Sequence, residues 1–225
     1  MSEAPGIALP EWDRAYRLVS SAFPPVSVFE DILDPGQLEA AFAIESMTND
    51  RLLDEAGVLS RVAQEDRVSG PGSTPLMAAF THIGTSSRFT DGAYGVYYCA
   101  SSIEAAIAET KFHRERFLAA TQEPCLELTM RCYVNSLVEP LHDIRAGFES
   151  LHDQDTSCYA LCNSFARELR ETRSYGLAYN SVRMPGEECA AIFRPTAVTI
   201  PVQGPHYRYC WDGQRIEHVL LIQSI

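Results

Sequence analysis

The chain has 225 residues, 46% hydrophobic and 21% charged, and carries 18 Lys and Arg against 30 Asp and Glu for a net charge of −12. That length is enough for one domain, or one domain with an elaboration, to bury its core without covalent staples. The acidic balance argues against direct binding of DNA or RNA, whose affinity comes largely from basic side chains neutralising phosphates, and suits a basic protein partner better.

The opening MSEAPGIALPEWD has no basic region followed by an apolar core, and no stretch approaches the roughly 20 apolar residues a bilayer span needs. The expectation is a cytoplasmic protein without a membrane segment. The first nine residues read as frayed, and the chain enters its fold over 12–19, where Ala15, Tyr16, Leu18 and Val19 surround Arg17. Between residues 36 and 62 the pattern turns helical, with Leu38, Ala41, Phe42 and Ile44, then Leu52, Leu53 and Val58, which predicts an N-terminal helical insertion. The cluster SGPGSTP at 69–75 marks a loop before an element over 76–80.

From Arg88 the chain reads as mixed α and β. Residues 96–100 form a short apolar strand, and Ser101 opens a helix to about Leu118 through a capping box with Glu104. Residues 126–134 alternate apolar and polar as a strand does. Tyr159, Cys162, Phe165, Ala166 and Leu169 give helical spacing over 156–173. Strands follow at 176–180, 189–193 and 198–202, then a hairpin over 207–222 turning at Asp212-Gly213. The expectation is a single α+β domain over residues 1–225, a mixed β core with flanking helices.

Seven cysteines, odd in number and without a CxxC pair, point to a reduced interior. Six histidines show no HExxH or other metal spacing, so no metal is expected. GxGxxG and P-loop sequences are absent, so a bound dinucleotide would not be held in the Rossmann manner. This favours a dinucleotide that is split over one that carries hydride.

The order Arg88, Tyr98, Glu109, followed by Gly176-Leu-Ala-Tyr-Asn-Ser181-Val-Arg, resembles the RES-domain family, named for Arg, Glu and Ser. Where the family pattern has tryptophan and asparagine after the arginine, this chain has Phe89 and Thr90. The resemblance implies an ADP-ribosyltransferase-like fold, NAD as substrate, and the toxin of a bacterial toxin–antitoxin module. It also implies a cognate antitoxin that carries the DNA-binding domain and occludes the pocket.

Each residue has a chemical role and a plainer alternative. Breaking the nicotinamide–ribose bond passes through an oxocarbenium-like state, which a carboxylate at Glu109 would stabilise, with Ala105 and Ala106 beside it letting a ligand approach. Otherwise Glu109 is a surface carboxylate pairing with His113. Arg88 would fork onto the diphosphate or a ribose hydroxyl and share in catalysis, or else anchor a loop through carbonyls or Asp91. The resemblance has Tyr98 stack on nicotinamide and Ser181 orient the ring or ribose, against a core tyrosine and a turn serine. Arg17 would hold phosphate or pack at the surface.

Residues and resemblance together imply an NAD-consuming toxin. Transfer of ADP-ribose to a protein target is favoured, because the insertion at 36–62 could offer a surface for such a substrate. The alternatives are an NAD glycohydrolase or phosphorylase and a non-catalytic partner-binding domain.

Overall fold

The structure, a computed structural model, describes residues 4–21 and 58–223. Within them, nine strands form one sheet: β1 (Gly6–Ala8), β2 (Ala15–Ser20), β3 (Tyr97–Ala100), β4 (Leu126–Asn135), β5 (Leu141–Asp143), β6 (Gly176–Asn180), β7 (Glu188–Ile192), β8 (Val202–Trp211) and β9 (Ile216–Ile222). Their order is β1-β5-β6-β7-β3-β2-β4-β8-β9, antiparallel except for the β5–β6 pair. Three helices cover it: α1 (Thr74–Thr81), α2 (Ile103–Ala120) and α3 (Tyr159–Glu171). The fold is α+β. Among the described residues, no helix is long and apolar enough to cross a membrane.

Each face of the sheet has its own core. Leu76, Met77 and Phe80 of α1 pack with Tyr97, Cys99, Ala178 and Ile192 on one face. Ala105, Ala106 and Leu118 of α2 and Cys162, Ala166 and Leu169 of α3 pack with Leu18, Leu177 and Tyr179 on the other. Successive side chains of a strand point to opposite faces, so Tyr97 lies in the first core while Tyr98 packs against the second. β4 alternates at its start, then runs buried through Met130–Tyr133, because its centre is covered on both faces.

The strands expected at 96–100, 126–134, 176–180 and 189–193 form within a residue of those bounds. The hairpin forms too: Gly213 takes φ +101, and Asp212 Oδ1 accepts from the amides of Gln214 and Arg215 at 2.7 and 2.8 Å. α1 starts at Thr74, with Pro75 in its first turn, where a missing amide hydrogen costs nothing.

Five expectations give way. The first nine residues are not all frayed, since β1 pairs with β5; all three of its residues are exposed, so backbone hydrogen bonds alone hold it. Ser102, not Ser101, caps α2, accepting from the Ala105 amide at 3.2 Å. Ser101 is occupied elsewhere, donating to Glu187 Oε2 at 2.9 Å and accepting from the Glu188 amide at 3.1 Å. Of residues 198–202, Val198 makes an isolated bridge to Leu137 and only Val202 joins a strand, as the start of β8, because Pro201 has no amide hydrogen for a ladder. The helix expected over 156–173 begins as a 3-10 turn, Thr156–Cys158, capped by Asp155. Ala105 and Ala106 are buried in the core, so their small size serves close packing of α2 on the sheet instead of ligand approach. The helical insertion lies mostly outside the described residues; its described end, Leu59–Arg61, is a 3-10 turn.

Candidate active site

A cleft of about 370 Å³ opens where β6 ends, lined by Arg145, Glu149, His152, Gln154, Asn180 and Ser181 among others. This lies in the range of small-molecule sites, about 300–1,000 Å³. Ser181 is buried, and its hydroxyl donates to Glu109 Oε1 at 2.7 Å while accepting from the amides of Met184 and Arg183 at 3.1 and 3.3 Å. With its proton and both lone pairs engaged, the hydroxyl is fixed in rotation. It orients a carboxylate and is not poised to attack.

Glu109, half-buried on α2, thus meets Ser181, which lies 72 residues further along the chain. Arginines surround the pair. The Arg183 guanidinium lies 3.4 Å from the Phe112 ring centre and donates to the Gln154 carbonyl at 2.6 Å. The Arg116 guanidinium lies 5.6 Å from the same ring centre. Burial raises the Tyr159 phenol pKa, while Arg88, Arg183 and Arg116 lower it and Glu109 raises it, which places all four charges around one side chain. In a chain of net charge −12, this concentration suits an anionic ligand.

Arg88 is buried and anchors a loop by carbonyls: Nη1 donates to Leu151 O and Nη2 to Asp153 O, both at 2.8 Å. Its guanidinium also stands 5.2 Å from the Tyr159 ring centre. Asp91 pairs with Arg167 instead. The anchored loop carries Glu149, His152 and Gln154 into the cleft wall. The Tyr98 hydroxyl, kept protonated as burial drives its pKa up, bonds to Ser87 Oγ at 2.8 Å and accepts from the Phe89 amide at 3.0 Å. It therefore ties β3 to both neighbours of Arg88.

Arg17 does not join this group. Alternation along β2 puts it with Ala15, on the face where its guanidinium stacks 4.5 Å from the Tyr97 ring centre. It donates to the Tyr98 carbonyl at 3.0 Å, and burial is the main cause of its lowered pKa.

Tyr179 and His152, like Arg116 and Arg183, carried no role in the sequence reading. Tyr179 shares a strand face with Ser181 and packs its ring edge-on to Phe89 at 5.0 Å; burial raises its pKa, with Glu109 and Tyr98 adding and Arg88 opposing. The i, i+2 spacing to Ser181 was a usable signal. His152 had none, since it reaches the site through a loop. Its Nδ1 donates to Phe148 O at 2.9 Å and its Nε2 accepts from the Asn180 amide at 3.2 Å, an arrangement only the neutral ring allows.

Burial, with Arg88 adding, lowers the His152 pKa. The unfolded chain therefore takes up a proton at about pH 6.5 while the folded ring resists, so stability falls as pH drops below that value. His152→Gln is expected to reduce this loss, read as the difference in unfolding midpoint between pH 7.5 and 5.5. An unchanged difference would contradict the neutral ring.

The crystal structure of the M. tuberculosis MbcT–MbcA toxin–antitoxin complex aligns with a TM-score of 0.45 at 8% identity, covering 96% of this chain and 87% of that one. A Sinorhizobium fredii protein, described as uncharacterized protein y4oC, is 30% identical over 208 residues, spanning 91% of this chain and 85% of its own length. The family model for the RES domain matches residues 60–212, a stretch that takes in Arg88, Tyr98, Glu109 and Ser181. The chain therefore belongs to the RES-domain family.

Proposed function

We propose that this chain is the NAD-splitting toxin of a toxin–antitoxin pair. The observation that carries the reading is the 2.7 Å bond from buried Ser181 to Glu109, which fixes a carboxylate beside a cleft of ligand size. Family membership supports the substrate, and the arginines around Glu109 support a ligand with a diphosphate.

In the proposed reaction the bond between ribose C1′ and the nicotinamide nitrogen breaks. Its electron pair goes to the ring nitrogen, which leaves neutral, so the step needs no acid. Positive charge develops on the ribosyl group, and Glu109 opposite it lowers the barrier because its position is set before reaction. Ser181 acts as a positioning residue for that carboxylate. Arg183 and Arg116 face the diphosphate, Arg88 holds the loop that forms the cleft wall, and Tyr98 and Tyr179 supply aromatic surface toward nicotinamide. Arg17 supports Tyr98 from behind.

The acceptor then names the reaction. Attack by water or phosphate makes a glycohydrolase or phosphorylase, and attack by a protein side chain makes a mono-ADP-ribosyltransferase, the outcome the sequence reading favoured. An antitoxin bearing its own DNA-binding domain would silence the enzyme by covering the cleft, and label from NAD in a discrete lysate band would mark transfer to protein.

Ser181→Ala tests the central geometry. It is expected to lower kcat on the order of 10²-fold with KM nearly unchanged, the pattern of an interaction that matters in the transition state. A raised KM with an unchanged kcat would instead make Ser181 a substrate-binding group and overturn its positioning role.

A further inference from the structure

We propose that a second cavity, at the other end of β6, binds a phosphate group. Ser174, just before β6, lines this cavity, and Ser181, just after it, lines the cleft. The five residues of the strand separate the two by roughly 16 Å. The volume is about 130 Å³, and a cavity of about 150 Å³ accepts one benzene molecule. It has room for a phosphate group and none for a nucleotide.

Four arginines line it: Arg61, Arg170, Arg173 and Arg194. Two of them are committed. Arg194 forks onto Asp66 at 2.6 and 2.8 Å, and Arg173 reaches Glu65 at 2.9 Å and Asp66 at 3.5 Å. Arg170 is different. It is half-buried, lies 3.8 Å from the Tyr94 ring centre, and its guanidinium has no hydrogen-bond partner among the described residues. Arg61 spends one nitrogen on the Ala93 carbonyl at 3.1 Å. A planar fork held over an aromatic ring, with its donors unspent in a cavity, is preorganised for an oxyanion. A phosphate group offers three strong acceptor oxygens, enough to engage both Arg170 and Arg61. This site is independent of NAD cleavage.

The test titrates the full chain with inorganic phosphate and with glycerol phosphate at constant ionic strength, by calorimetry and phosphorus NMR. Saturable binding is expected, with Kd rising at least tenfold in Arg61→Ala and in Arg170→Gln and unchanged in Arg183→Ala. Binding of both probes assigns the site to the phosphate group itself, and binding of glycerol phosphate alone, with the same losses, to a phosphate monoester. No binding, affinity unchanged in Arg61→Ala and Arg170→Gln, or a loss confined to Arg183→Ala overturns the proposal. Arg61 is exposed, so Arg61→Ala keeps the test decisive if loss of the Arg170–Tyr94 stack impairs folding.

Discussion

Glu109→Gln is expected to cut NAD cleavage by about 10² to 10³-fold while the protein stays folded. The amide has nearly the size of the carboxylate and still accepts the Ser181 hydroxyl, so the local packing survives. What disappears is the negative charge facing the ribosyl cation, and removing one preorganised electrostatic group costs about 2.7–4 kcal/mol of transition-state stabilisation. Initial rates of NAD loss, with unfolding midpoints alongside, read the effect. Activity within threefold of the parent would contradict the role given to Glu109 and favour the partner-binding reading of the fold.

Gly176→Ala is expected to have a large effect on stability. Gly176 opens β6 at φ +151, and a Cβ there would meet the Ala191 carbonyl oxygen and come within 3.0 Å of Ile192 Cα. Both contacts are backbone of β7, which cannot yield without breaking the β6–β7 ladder. A cost of about 3 kcal/mol or more follows, a drop of roughly 6–12 °C in Tm for a domain of this size. Gly147→Ala serves as the comparison: its φ is +78 but a Cβ there would meet open space, so only backbone strain of about 1 kcal/mol is at stake. Equal midpoints for the two variants would contradict the close approach at Gly176.

The same local logic explains what the sequence made legible. The alternation of 126–134 and the Asp212-Gly213 turn are local signals, and both produced the expected elements. β1 was invisible because its three residues stay exposed and its pairing is purely backbone. Residues 198–202 looked like a strand by hydrophobicity, but β8 starts only at Val202, after Pro201, which withholds the amide a ladder needs. Ser101 and Ser102 are equally good caps by type, and the choice fell to Glu187 and Glu188, nearly ninety residues away.

In the site, the family pattern pointed to Glu109 and Ser181 as separate residues, and the structure joins them by a hydrogen bond that the pattern does not encode. Arg17 lies apart from them. It stands two residues from Ala15, and strand alternation puts it on the face away from Glu109. Arg183 was in plain view two residues after Ser181, but its place depends on stacking against Phe112 of α2, a tertiary contact no local pattern encodes.

The most direct measurement of the central claim is release of nicotinamide from NAD labelled in the nicotinamide ring, using the purified chain without antitoxin. The account predicts one nicotinamide released for each NAD lost, abolished in Glu109→Gln. Intact NAD after incubation with the folded parent protein, or equal release by parent and Glu109→Gln, would contradict it.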